Sequence, residues 1–208
     1  MIGIVSYGLG NISAFSNIYK SLDIPYKIIS SKDELMGVKK IILPGVGAFK
    51  DGMKHLEELG LIELLNKEVI SNKKPFLGIC LGMQLLGKKS YENGETKGLG
   101  WIDAEVIKFD FSEEEIKLKI PHVGWNNTSY ENKNDLYENV LNNSDFYFVH
   151  SYHFETKENV TTSVTDYGIK FVSSIQKNNI YAFQFHPEKS QESGLEILKN
   201  FANLEFGV

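Results

Sequence analysis

One decapeptide constrains this chain more than any other stretch: Pro75-Phe-Leu-Gly78-Ile-Cys80-Leu-Gly82-Met-Gln84. Its first half is short and apolar, as in a strand buried on both faces, and Leu81–Lys88 then reads as helix. A Gly-x-Cys-x-Gly run at a strand-to-helix junction is the nucleophile-elbow pattern, with Cys where many hydrolases carry Ser. On so tight a turn, side chains two residues either side of the nucleophile would collide with neighbouring backbone, and glycine removes the collision. A cysteine at a helix N-terminus also feels the positive end of the dipole, which favours the reactive thiolate. A lone Cys is commonly just a small buried apolar residue. The paired glycines and the strand–helix context point instead to a nucleophile.

The elbow belongs to a wider alternation. Ile2–Ser6, Tyr26–Ile29, Lys40–Leu43 and Pro75–Ile79 read as strands, separated by helical spacing over Asn11–Leu22 and Phe49–Ile70. Such alternation implies βαβ units and a parallel sheet. The second half instead offers short β-type runs at Trp101–Phe109, Ile120–Val123, Asp145–His150, Val160–Val164, Phe171–Gln176 and Ile180–Phe185, then a last helix over Ser190–Leu204. Tyr91, Asn93 and Gly94 mark one turn, and Asn178–Asn179 another that suggests a hairpin. Charge-rich Phe111–Lys119 reads as a solvated hairpin edge or loop, and Asn-rich Asn126–Asn143 as loop and turn. The expected class is α/β, a mostly parallel mixed sheet flanked by helices, with antiparallel strands added in the C-terminal half.

With 208 residues the chain suits one domain. Its net charge of −5 gives no electrostatic reason to bind nucleic acid. A single cysteine permits no internal disulfide and fits a reducing compartment. No apolar run is long enough to span a bilayer, and MIGIVSYGLG lacks the features of a signal peptide, so a soluble cytoplasmic protein is expected.

A second motif, Gln184-Phe-His186-Pro-Glu188, supplies a base and its orienter. The apolar run Ile180–Phe185 stops at Pro187, which cannot donate to a ladder. Active sites of α/β sheets lie at such carboxyl ends of strands. Glu188 at +2 can hold the His186 imidazole in one tautomer and stabilise its protonated form. Each feature alone is modest; a Cys, a His and a carboxylate together are the recurring requirement of thiol acyl transfer. A third motif, Leu43-Pro44-Gly45-Val46-Gly47-Ala48-Phe49, is a Gly-rich loop after a strand, able to turn backbone N–H groups towards an oxyanion. No Lys-Ser/Thr follows, which disfavours a phosphate loop. His55 is expected to be exposed on its helix, while His122, His150 and His153 lie in or near strands, where single histidines are commonly structural. No His/Cys/Asp grouping has metal-ligand spacing, so neither metal nor cofactor is expected.

These segments resemble the class I (triad) glutamine amidotransferases, which have a flavodoxin-like α/β fold. The likeness is greatest to the branch of glutaminase subunits (HisH) of imidazole glycerol phosphate synthase. It is carried by YGLGNI (Tyr7–Ile12), LPGVGAF (Leu43–Phe49), LGICLGMQLL (Leu77–Leu86), PHVGWN (Pro121–Asn126), FYFVHSY (Phe146–Tyr152) and QFHPEKSQ (Gln184–Gln191). The resemblance implies one amidotransferase domain over residues 1–208, with Cys80 as nucleophile, His186 as base and Glu188 as orienting acid. It implies an oxyanion hole from the N–H of Leu81 and one near Val46–Gly47. Gln84, His150, Ser151 and Tyr152 would line the glutamine site, and Asn11, Trp125, Tyr147 and Lys189 would face a partner near the ammonia exit. The implied partner is a (β/α)8-barrel cyclase, HisF, in a heterodimer. An alternative acceptor is a sugar amidotransferase of surface-polysaccharide synthesis, left open by Trp101 in GLGWIDAEV and His153 in HSYHF. A non-catalytic scaffold is disfavoured by the intact Cys/His/Glu set, and a cysteine peptidase by the pairing of PGVGAF with HPE.

Overall fold

The computed structural model describes residues 1–113 and 118–205, so part of the charge-rich Phe111–Lys119 segment lies outside the described residues. The N-terminal half forms β1 (Ile2–Val5), α1 (Ile12–Ser21), β2 (Tyr26–Ile29), α2 (Lys32–Leu35), β3 (Lys40–Leu43), α3 (Phe49–Glu58), α4 (Leu61–Leu65), β4 (Phe76–Ile79) and α5 (Leu81–Gln84). Then follow β5 (Lys89–Ser90), β6 (Thr96–Lys97), β7 (Ala104–Lys108), β8 (His122–Tyr130), β9 (Ser144–His150), β10 (Tyr152–Thr156), β11 (Thr161–Tyr167), β12 (Ile169–Lys177), β13 (Ile180–Phe183) and α6 (Gln191–Asn203). Among the described residues the sheet runs β2-β1-β3-β4-β13-β12-β10-β7-β5-β6, with β11, β8 and β9 branching from β12. The first five strands of that path are parallel. Antiparallel pairing starts at β12. The expected mixed α/β sheet is therefore the one observed.

Side-chain alternation splits the core. Val5 and Leu43 pack with Phe49, Leu56, Leu61 and Leu65 of α3 and α4. Their neighbours Ile4 and Ile42 point the other way, to Phe15 and Tyr19 of α1 and Ile197, Leu198 and Phe201 of α6. On that second face Phe183 stacks on Phe185 at 4.8 Å, and Phe185 on Phe146 at 4.0 Å. This aromatic column ties β13 to β9.

Several boundaries differ from the sequence reading. The amphipathic stretch Phe49–Ile70 is broken at Gly60, whose left-handed φ of 61° separates α3 from α4, and a π-helical turn follows over Asn66–Ser71. The helix after Cys80 is α5 alone, ending at Gln84 rather than Lys88. Asn126–Tyr130 is strand, not loop, because the ladder with β9 runs from His122↔His150 to Thr128↔Ser144 and pairs the polar backbone. The turn Asn178–Asn179 does close a hairpin, with Lys177 opposite Ile180. Phe183 lies fully buried where the two halves meet. Replacing Phe183 by Ala should cost about 3–5 kcal/mol of stability in urea unfolding, from lost transfer energy plus the cavity left behind.

Candidate active site

The parallel register of β4 and β13 sets Ile79 opposite Phe183. Both strands therefore end at the same edge, and the Cys80 N–H donates to the Phe183 carbonyl at 2.7 Å. Cys80 turns with φ 52° and ψ −108°, a conformation rare for a residue with a side chain. A β-carbon on Gly78 would lie 2.7 Å from the Gly82 carbonyl oxygen, and one on Gly82 would overlap the Leu43 carbonyl oxygen. The elbow thus needs both glycines because backbone, not flexible side chain, occupies the space.

His186 and Glu188 follow β13 directly. His186 Nδ1 meets Glu188 Oε1 at 2.8 Å, with side chains only 1% and 2% exposed. The partnered Nδ1 must carry a proton to bond the carboxylate. That leaves Nε2 buried and, among the described residues, without a hydrogen-bond partner of normal geometry, free to face the charge of Cys80. Burial alone would lower the imidazolium pKa; the Cys80 thiolate, and then Glu188, outweigh it and raise it to about 10. Ser190 fixes the backbone here: its hydroxyl donates to the His186 carbonyl at 2.6 Å and accepts from the Tyr147 N–H at 3.0 Å.

The expected substrate residues are drawn together, but largely bonded to one another. Gln84 Nε2 donates to the Tyr152 carbonyl and to Gln184 Oε1, both at 3.0 Å. His150 Nδ1 donates to the same Tyr152 carbonyl at 2.8 Å, and its Nε2 lies 3.1 Å from His122 Nδ1. Burial lowers the His150 pKa to about 3 and that of His122 to about 4, so both rings are neutral at physiological pH. The Ser151 carbonyl accepts from the Phe109 N–H at 3.1 Å, joining this loop to the end of β7. Of the expected oxyanion donors, Gly47 sits on an exposed turn with φ 104°, while the Leu81 N–H is engaged by the Gly45 carbonyl at 3.3 Å.

Three expected partner-facing residues form one cluster beside His186. Trp125 and Tyr147 are cross-strand neighbours, meeting edge to face with centroids 6.1 Å apart. Lys189 Nζ stands 5.5 Å over the Tyr147 ring, and that ring is 6.5 Å from His186. Trp125 remains 48% exposed, with Val123 at 54% on the same strand. Asn11 has a local task, its side chain capping α1 through the Ala14 N–H. His55, expected to be exposed, is half-buried and bonds the Tyr7 carbonyl at 2.9 Å.

Comparison with known proteins fixes the family. The model of the class I glutamine amidotransferases matches residues 9–204. The chain belongs to that family. It is 47% identical to "Imidazole glycerol phosphate synthase subunit HisH 1" of Campylobacter jejuni, over 98% of this chain and 100% of that one. It is 46% identical to "Imidazole glycerol phosphate synthase subunit HisH 2" of Methanococcus maripaludis, over 97% and 98%. A solved glutamine amidotransferase superposes with a TM-score of 0.75 at 21% identity, covering 98% of this chain and 99% of its own. A Trypanosoma brucei glutaminase domain with bound acivicin superposes at 0.61 and 15% identity, over 99% and 95%. At those identities the superpositions speak to fold alone. Among the described residues no group of three or more His, Cys, Asp or Glu side chains could hold a metal, and no helix is long and apolar enough to cross a membrane.

Sequence reasoning left two residues without a role. Tyr7 has a buried hydroxyl without a partner among the described residues, and burial, then the Cys80 charge, raises its pKa. Gln184 touches the Cys80 sulfur, and only its place in the QFHPE motif could have flagged it. The raised His186 pKa has a definite consequence. Protonation of His186 stabilises the fold fully below its ordinary value of 6.5, and that contribution is lost as pH rises towards about 10. NMR titration should find the His186 ring still protonated at pH 8. In Cys80→Ala, with the thiolate removed and burial unchanged, its midpoint should move down.

Proposed function

We propose that this glutamine amidotransferase is the glutaminase subunit of an imidazole glycerol phosphate synthase, with Cys80, His186 and Glu188 as its triad. One observation carries the chemistry: a cysteine on a strained elbow beside an imidazole whose Nδ1 is held by a buried carboxylate. The named relatives, similar over nearly their whole length, support the pathway.

The Cys80 thiolate attacks the side-chain amide carbon of glutamine. The C–N bond of the tetrahedral intermediate breaks, and the departing nitrogen takes the His186 Nε2 proton and leaves as ammonia. Water then gives a proton to Nε2 as its oxygen attacks the thioester, and glutamate leaves with restoration of the thiolate. Glu188 keeps the ring in the tautomer that presents Nε2 and stabilises its charged form. The Gly45 carbonyl must release the Leu81 N–H before that group can stabilise the oxyanion.

Ammonia freed into water would be protonated and cease to be a nucleophile, so the reading includes an acceptor subunit docked at the site's rim. The Trp125–Tyr147–Lys189 cluster suits that role, since an exposed Trp125 and a half-buried Tyr147 next to the base would be covered on assembly. The acceptor in this reading is a (β/α)8-barrel cyclase of the HisF kind, in the cytoplasm. Trp101 and His153, the positions that left sugar amidation open, are 8% and 6% exposed, so neither offers a surface for an acceptor to read.

With the barrel subunit present, Cys80→Ser should lower glutamine-dependent turnover by about a thousandfold or more, while added ammonium salt still supports cyclisation. Glutamine-dependent turnover within about tenfold of wild type would exclude the triad. Trp125→Ala should weaken the complex by about 2 kcal/mol or more in calorimetric titration, as expected of an aromatic anchor.

A further inference from the structure

We infer that Gln184 is a further catalytic residue, its side-chain N–H donating to the Cys80 sulfur and favouring the thiolate. This rests on the reading of Cys80 as nucleophile. Gln184 Nε2 lies 3.6 Å from Cys80 Sγ, and Gln184 is fully buried.

A buried amide beside a sulfur could present either end, and here its neighbours decide which. The Tyr152 carbonyl can only accept, so the group that Gln84 turns towards it must be its NH2. The same NH2 reaches Gln184 Oε1, so Gln184 accepts on that side and must offer its own NH2 to the sulfur. Behind the Tyr152 carbonyl, the neutral His150 ring donates through Nδ1 and accepts on Nε2 from His122 Nδ1–H. His122 Nε2 then accepts from Asn126 Nδ2 at 3.3 Å. Every bond runs in one assignable direction, and reversing the Gln184 amide would set oxygen against sulfur and NH2 against NH2.

The sulfur needs this donor. The Val149 carbonyl, 3.9 Å away, accepts from the thiol and opposes a thiolate. The helix behind Cys80 has a single turn, too short for the dipole that a longer helix would bring. Among the described residues, the titratable groups that act with the sulfur are His186, backed by Glu188, and Tyr7. Gln184 supplies a neutral donor whose bond strengthens as charge gathers on sulfur. It acts twice: on the attacking thiolate, and on the sulfur as leaving group. In the second step the C–S bond breaks, both electrons stay on Sγ, and the water proton is already on His186 Nε2.

Cys80 is the sole cysteine, so alkylation of the full chain by iodoacetamide reports on it alone. The rate should be followed against pH for wild type, Gln184→Met and Gln84→Met. Gln184→Met should raise the pH midpoint by about one unit and lower glutaminase kcat about tenfold, with KM little changed. Gln84→Met, which frees the Gln184 amide to rotate, should raise the midpoint by less. Wild-type midpoints in both would overturn the inference; if Gln184→Met does not fold, Gln84→Met alone decides it. A purely structural Gln184 would alter melting without moving the midpoint. Failure of the triad itself would appear separately, as glutaminase activity retained in Cys80→Ala.

Discussion

The parallel pairing of β4 with β13 is the interaction on which the site depends. Its register, Phe76↔Ile180 through Ile79↔Phe183, brings two segments about a hundred residues apart to one edge of the sheet. Cys80 leaves one strand end and Gln184, Phe185 and His186 leave the other, so the proposed nucleophile, the amide beside its sulfur and the proposed base follow from a single ladder. A slip of one residue would send each side chain to the opposite face and dismantle the site. The aromatic column Phe183–Phe185–Phe146 guards against that slip, since those rings fill one face of the core only in this register.

Around this ladder the polar groups divide into two lines. One runs from Glu188 through His186 to the sulfur and carries charge. The other runs from Asn126 through His122, His150, Tyr152 and Gln84 to Gln184 and carries only neutral hydrogen bonds. Burial keeps the second line neutral by depressing both histidines. The first tolerates burial because the thiolate and carboxylate compensate the imidazolium. The same desolvation thus has opposite outcomes on neighbouring rings, decided by whether an anion is present.

Much of this was legible in the sequence. The elbow was readable because its glycines answer a local steric demand, and HPE because a proline ends a strand where a base is useful. The parallel half of the fold followed from alternating periods. What escaped was set by tertiary contacts. The length of α5 could not be read, since Leu85–Lys88 retains helical composition. The strand over Asn126–Tyr130 was hidden by asparagines that β9 organises from across the ladder. His150 was placed at the site by family likeness, but its hydrogen bonds to His122 and to Tyr152 depend on strands meeting in space. Gln184 lay in plain view inside a motif, yet only the direction of the bonds around it reveals what it offers the sulfur.

The central claim is that the Cys80 sulfur carries the glutamyl group. Its most direct test is acid quenching of the assembled enzyme during turnover of glutamine, followed by peptide mass spectrometry. A glutamyl thioester on the Cys80 peptide, forming and decaying with turnover, is the expected result. Steady-state ammonia release from a chain in which no quenched sample ever carries that adduct, even when Glu188→Gln slows its hydrolysis, would contradict the account.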